Sequence, residues 1–414
     1  MFMRFRILLL LLFGLYQNVS ASSLAAWRKV VIDAARDEAL APNIIVRNLA
    51  ILCTGAFECL NSEKNTYSSI YKFSIEKPEN YDALSAIRGC LYEICYFLHP
   101  SQRNRFVRLA HLDSIATGVQ AHNESYRFGQ KIAAGILNIR SKDGASTNIN
   151  HIGSLAPGQW RRTPPHFRPS ELPNWGNVNL FCVKNKSNFI PPPPPALESQ
   201  QYYNAVKEVK IYGMINSSLR TKEETMLAKF WKDFSYSSTP PGHWNEIAHF
   251  ASKQKHLSLL EESRLFALLN LAMADAGILA WFAKYKYRLW RPENAIRQAN
   301  QIPKTRELVF SKWRPLLESP PHPEYPSGHG SYSGAASKVL SFFFGSDSFN
   351  FSARSDTLEN SVRSYSSFSS CAEEIAMSRL WGGIHFRFSN QVGLNMGNQV
   401  ANYICQNFCT LLEE

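Results

Sequence analysis

Three short stretches of the chain combine cations, hydroxyls and histidines at spacings that could do chemistry. The first runs Lys284-Tyr285-Lys286-Tyr287-Arg288-Leu289-Trp290-Arg291-Pro292. The seven-residue step from Lys284 to Arg291 is about two helical turns, which puts both cations on one face. Proline disfavours helix at the residue before it, so Arg291 is expected at a helix end. Two cations aimed the same way at a helix terminus suit an oxyanion held by charge-assisted hydrogen bonds.

The second stretch is Pro320-Pro321-His322-Pro323-Glu324-Tyr325-Pro326-Ser327-Gly328-His329. Its prolines predict an extended approach, and Ser327 is placed to cap a helix that starts near His329. A capped helix start offers free backbone N–H groups and a positive dipole end to an anion. The Ser327 hydroxyl and the Gly328 amide could bind oxygen, with His329 placed for proton transfer. Gly330, Ser331, Ser333, Gly334, Ala335 and Ala336 then predict close packing of that helix.

The third stretch is Ser378-Arg379-Leu380-Trp381-Gly382-Gly383-Ile384-His385. Gly382-Gly383 should end a helix, and a turn there could fold Arg379 and His385 toward one point. Arg379 would be a third cation, and His385 a nucleophile or oxyanion ligand. Each stretch alone has a plainer reading: a solvated basic face, a helix cap with a stray histidine, a helix end. Together they set three positive charges against the negative charge of phosphate or vanadate. Two histidines remain, one for covalent attachment and one for proton transfer.

The elements that must position these residues read as helices. Apolar residues recur at three and four positions over 23–60, with a break at Ala41-Pro42. Further helices are expected over 81–98 and 102–112, separated at His99-Pro100, and over 114–137. Residues 144–199 are dense in proline and contain the run 191–195, which excludes regular helix. That segment predicts a long irregular excursion, packed down through Trp160, Phe167, Trp175 and Phe181. Helices resume over 199–212 and 221–234, then a turn at 239–242, a helix over 243–256, and one or two long helices over 257–290. Residues 341–370, rich in Ser and Phe, read as a loop with short helical turns. Few stretches alternate with a period of two, so the expected fold is all-α.

Composition narrows the class. The chain has 414 residues, of which 45% are hydrophobic and 19% charged, enough to bury a large core. The formal charge of +12 favours anions, but the basic residues are scattered, which argues against nucleic acid. Arg4 and Arg6, the apolar run 7–16 and Val19-Ser20-Ala21 make a secretory signal over 1–21, which points to a secreted or periplasmic protein. No later segment reaches the length of uncharged apolar residues a membrane helix needs; 265–283 comes closest, interrupted by Asn270 and Asp275. Eight cysteines fit an oxidising compartment and an even count there often means disulfides, with no pairing favoured. No CxxC pair with matching histidines suggests zinc.

The pattern K-x6-RP, then PSGH, then SR-x5-H resembles the superfamily of vanadium haloperoxidases and type 2 phosphatidic acid phosphatases. Pro157-Gly158-Gln159-Trp160, Thr163-Pro164-Pro165, 239–245 and Ala272-Met273-Ala274-Asp275-Ala276 resemble its soluble bacterial haloperoxidase-like branch, so the likeness covers nearly all of the mature chain. It implies a helical-bundle haloperoxidase/acid-phosphatase-like fold, one domain over 22–414 with an active-site core at about 257–410. It implies that Lys284, Arg291, Ser327, Gly328 and Arg379 hold the oxyanion, and that His329 is the acid–base residue. His385 would bond to vanadate, the implied cofactor, or attack phosphorus in a phosphatase that needs no cofactor. His322 sits where the family's bromide enzymes carry His and its chloride enzymes Phe, which leans toward bromide or iodide; a surface histidine beside prolines is the plainer alternative. Two departures touch the support of the site: Ser389 stands where the family often has Asp, and Phe282 stands where relatives often have Asp.

The expected activity is therefore vanadate-dependent oxidation of halide by hydrogen peroxide. The second reading is an acid phosphatase acting on phosphomonoesters through a phosphohistidine, and the third an oxyanion-binding protein without catalysis. Partners are small molecules, peroxide and halide or a phosphoester. The oligomeric state is open, a homo-oligomer included.

Overall fold

The computed structural model describes residues 23–117 and 123–412; the signal-like segment 1–21 lies outside them. Among the described residues the body is helical. The N-terminal part comprises α1 (Ser23–Asp37), α2 (Pro42–Asn61), α3 (Ala83–Leu98), α4 (Arg103–Thr117) and α5 (Glu124–Ser141). After the irregular excursion come α6 (Gln200–Tyr212), α7 (Lys222–Phe230), α8 (Thr239–Gln254), α9 (Leu259–Tyr287) and α10 (Pro292–Arg297). The C-terminal part holds α11 (Gly328–Phe343), β1 (Ser348–Arg354), β2 (Val362–Ser367), α12 (Phe368–Trp381) and α13 (Arg387–Asn407).

Helix α9 organises the rest. It is 29 residues long and starts at a capping box of Ser258 and Glu261. It is apolar all round, so neighbours must cover every face: α2, α11 and α13 pack against it. Helices α2 and α9 are both long and apolar enough to cross a membrane, and both are almost wholly buried inside the fold, as core helices are. Helix α2 is shared between two cores. Val46, Ala50, Cys53 and Phe57 join the α9 cluster, while Ile45, Leu49, Leu52 and Ala56 join a cluster with α1, α3 and α5.

The polar residues that interrupt α9 have structural work. Asn270 pairs with Asn245 of α8 at 2.8 and 3.0 Å. The buried Asp275 carboxylate accepts the backbone N–H groups of Phe181, Cys182 and Val183 at 2.7, 2.9 and 2.9 Å. One carboxylate thereby fastens the proline-rich excursion to the central helix, with Trp175, Val178 and Cys182 packed into the same core.

The structure differs from the sequence reading at several elements. Residues 114–137 are not one helix: α4 continues to Thr117, and α5 begins after Asn123, whose side chain accepts the Tyr126 amide at 2.7 Å. Helix α8 begins at Thr239, with Pro240 and Pro241 in its first turn, where a missing N–H costs nothing. Residues 341–370 include an antiparallel hairpin, not a loop with helical turns. Phe349, Phe351 and Ala353 alternate inward on β1, and Phe351 lies opposite Tyr365. The eight cysteines form no disulfides; all are buried free thiols that pack as small apolar groups in the two large cores.

Asp275→Ala would leave three buried amides unpaired. It should lower unfolding stability by about 3–5 kcal/mol, by analogy with removing one partner of a buried ionic contact. Denaturant titration of the purified chain measures this.

Candidate active site

The three chemical stretches meet where α9 ends, α11 begins and α12 ends. Helix α9 stops at Tyr287 because Arg288 turns left-handed, with φ 52°. Arg291 therefore does not share a helix face with Lys284, as the spacing had suggested. It is the residue before α10, extended at φ −75° and ψ 155°, and the chain reversal brings it back beside Lys284. Ser327 caps α11, accepting the Gly330 amide at 3.3 Å, and α11 starts at Gly328. Helix α12 ends at Gly382, and Gly383 takes φ 75°, which folds His385 back so that its amide meets the Arg379 carbonyl at 3.3 Å.

His322, Gly328, His329, Arg379 and His385 line one cavity of about 320 Å³. Lys284, Arg291 and Ser327 are fully buried directly behind them. Gly328 is needed for the close approach of Trp281, whose ring would stand 3.3 Å from an added Cβ. Lys284 spends its three ammonium donors on the carbonyls of Pro323, Glu324 and Pro326, at 2.9, 3.0 and 2.5 Å. It clamps the loop before α11 and contributes charge rather than a free N–H.

Arg291 connects the two histidine-bearing stretches. Its guanidinium donates to the carbonyls of His322 and Ile384, both at 2.9 Å. It also donates to His385 Nε2 at 3.2 Å and to His322 Nδ1 at 3.0 Å. A guanidinium cannot accept, so His385 Nε2 carries a lone pair; His322 Nδ1 lies between Arg291 and the Pro323 carbonyl, the latter at 3.2 Å. His385 Nδ1 then bears the proton and donates to Glu324 Oε1 at 2.8 Å, which also receives the Phe386 amide at 3.0 Å. Burial, then Arg291, Lys284 and Arg379, hold the His385 pKa well below its usual value. His385 is thus a neutral imidazole with Nδ1 fixed by Glu324 and an unprotonated Nε2 facing Arg291. That is the state in which histidine attacks or ligates.

His329 is also held neutral, by burial first and then by Arg379 and Lys284, while a bond to the Lys232 backbone raises it. Among the described residues its Nε2 has no partner, and neither has Arg379 Nε or the Tyr332 hydroxyl; all three residues line the cavity. Burial pushes the Arg291 pKa down to about 9, with Arg379 adding repulsion against the help of Glu324, and burial pushes Arg379 down to about 10. The unpaired Arg379 and Tyr332 donors, in a surplus of positive charge, fit the oxygens of a multiply charged anion, and the unpaired His329 nitrogen is free to take a proton. A vanadate or phosphate group would meet that demand.

Glu324 was quoted in the sequence only as part of a motif and given no role. It orients His385 directly, while Ser389 stands behind Glu324, its hydroxyl 3.4 Å from the Glu324 carbonyl and helping to lower the Glu324 carboxyl pKa. Burial raises the Glu324 pKa to about 7, against the pull of the Phe386 amide, Arg291 and Lys284. Its signal was a lone carboxylate among prolines and aromatics. Asp233 and His243, also unassigned, lie beside the cavity with His243 Nδ1 3.2 Å from Asp233 Oδ1.

Fold and site together define a helical protein built around a buried cationic cradle that holds an unprotonated imidazole nitrogen against Arg291. Residues 264–414 match the family model described as the VCPO second helical-bundle domain. The vanadium chloroperoxidase of Curvularia inaequalis is 26% identical over 202 residues, 43% of this chain but only 33% of that protein, so the match spans about a third of the relative's length. The crystal structure of a bacterial vanadium-dependent iodoperoxidase superposes with TM-score 0.84 at 28% identity, covering 95% of this chain and 97% of that one. A bacterial vanadium-dependent chloroperoxidase superposes with TM-score 0.71 at 17% identity, covering 90% and 95%, which shows the shared fold. The chain is thus similar to vanadium haloperoxidases, in sequence over its C-terminal helical bundle and in fold over nearly its whole length.

Two outcomes follow from this geometry. Glu324→Gln keeps the Phe386 bond but removes the charge on His385 Nδ1–H. It should weaken vanadate binding about 10–100-fold, read from tryptophan fluorescence during titration of the vanadate-free protein. His243 is raised to about 9, because Asp233, with Glu246 and Asp356, outweighs the lowering by burial. The stability this pair supplies is complete below the unfolded value of about 6.5 and is lost as pH rises through about 9. The melting temperature of the wild type should fall across that window, and that of His243→Gln should fall less.

Proposed function

We propose that the protein is a vanadium-dependent haloperoxidase that oxidises halide with hydrogen peroxide. The observation that carries this reading is His385, neutral and oriented by Glu324 through Nδ1, with the Nε2 lone pair turned to Arg291 inside the cationic cradle. The whole-chain similarity to a vanadium iodoperoxidase structure supports it.

Vanadate, when bound, would supply Lewis-acid activation of peroxide for transfer of one oxygen to halide. His385 Nε2 would bond to it. Arg291, Arg379 and the Lys284 charge would neutralise its oxygens, with the Ser327 hydroxyl and Gly328 amide alongside. His329, neutral at rest, would take a proton from peroxide as it binds and return one to the departing oxygen. Trp281 and His322, with ring centroids 4.7 Å apart, close the cavity wall. His322 is buried and bonded to Arg291, so the plainer reading as a surface histidine is set aside. It is our candidate for the halide side of the site, with bromide or iodide preferred. We read the segment 1–21 as an export signal, which would direct the mature enzyme out of the cytoplasm.

A paired assay on one vanadium-free preparation tests the reading. Bromination or iodination of a phenolic dye should require both vanadate and peroxide and disappear in His385→Ala, a loss of at least about a thousandfold. Phosphate release from an aryl phosphate, inhibited by vanadate and without halogenation, would establish the phosphatase instead.

A further inference from the structure

The cavity wall that follows α7 is a short strap, Trp231-Lys232-Asp233, and each of its residues holds another group. The Trp231 carbonyl accepts from Arg379 Nη1 at 2.6 Å. Lys232 lines the cavity with His329, and its backbone works to raise the His329 pKa against burial. The Asp233 carboxylate faces His243 Nδ1, its two oxygens at 3.2 and 3.3 Å. The strap therefore touches both a cation of the cradle and its acid–base histidine. Asp233 adopts φ 38°, a left-handed conformation that costs about 1–3 kcal/mol away from glycine and persists only where the surroundings enforce it.

His243 is what enforces it. It is buried in the first turns of α8, and its second nitrogen, Nε2, lies 2.5 Å from the carbonyl of Arg354 at the end of β1. A carboxylate and a carbonyl both accept, so both ring nitrogens donate and His243 is an imidazolium. The groups around it agree. Glu246 on its own helix and Asp356 after β1 add negative charge; Arg36 of α1 is engaged with Asp356 at 3.1 Å and with Ser238 at 2.8 Å. The rings of Phe230 and Trp231 cover it, the latter with centroids 4.7 Å apart.

We propose that His243, as an imidazolium paired with Asp233, is a positioning residue for the oxyanion site, fixing the strap that aims Arg379 and His329 into the cavity. It acts through Asp233, Trp231 and Lys232, and ties the site to the β1–β2 hairpin. The proposal rests on the oxyanion reading of the cavity, not on which reaction runs there.

Isothermal titration of the full-length, vanadium-free chain with inorganic phosphate tests it. Removing a negative charge beside an anion site tightens anion binding by Coulomb's law alone, so Asp233→Asn separates charge from positioning. Positioning predicts the opposite: Asp233→Asn and His243→Gln each raise the phosphate dissociation constant about tenfold. The double variant should bind no more weakly than the weaker single, because both changes break one link. The double variant leaves no unpaired buried charge, so it keeps the test open if His243→Gln alone does not fold. Unchanged or tighter phosphate binding in Asp233→Asn, wild-type affinity in the double variant, or additive losses would overturn the proposal while leaving the site intact. A wild-type chain that binds no phosphate overturns the proposal together with the site it rests on.

Discussion

Lys284, Arg291 and Arg379 are buried within one region, and keeping three cations out of water is the constraint from which the rest of the site follows. Each must find acceptors inside the protein. Lys284 finds three carbonyls on the loop before α11, which forces that loop to wrap around the end of α9. Arg291 finds two carbonyls and two imidazoles, which joins the loop to the turn after α12. Arg379 finds only the Trp231 carbonyl, and its Nε stays unpaired. The incomplete satisfaction is confined to the cavity side, where a ligand's oxygens would complete it.

The same field sorts the two histidines. Both are held neutral by burial and by the surrounding cations. They differ in what fixes them. His385 is locked by Glu324 on one side and faces Arg291 on the other, which suits a group that forms a bond. His329 sits at the start of α11 with Nε2 unpaired, which suits a group that exchanges a proton. Vanadate and phosphate share shape and charge, so under the proposed function this machinery would suit either oxyanion, and the chemistry would depend on which one resides there.

The scaffold makes the arrangement rigid by close approach. Helices α11 and α13 pack backbone to backbone, so tightly that a Cβ at Gly334 would stand 2.2 Å from the Leu394 carbonyl oxygen. That contact sets the depth of Ser327, Gly328 and His329 relative to the turn before α13. On the far side, Asp275 fastens the proline-rich excursion, whose Glu171 backbone carbonyl accepts from Tyr285 at 2.8 Å and so closes that wall of the cavity.

The sequence by itself determined the helical class, because apolar residues recur with a helix's period through most of the chain. It also marked Lys284, Arg291, Arg379, His329 and His385, which the fold brings together, by local signals: a proline after Arg291, a serine cap before His329, a pair of glycines before His385. It could not show that Lys284 and Arg291 lie on different elements, since that depends on Arg288 turning left-handed. Nor could it pair Glu324 with His385, 61 residues apart, or Asp233 with His243 and the Arg354 carbonyl. The hairpin was missed because serine hid the alternation of Phe349, Phe351 and Ala353. The disulfides expected from cysteine number do not form, because those thiols are packed into helix interfaces. Residue types and local spacing are written along the chain. Which buried charge meets which partner depends on burial and on long-range contact, and only the tertiary structure decides those.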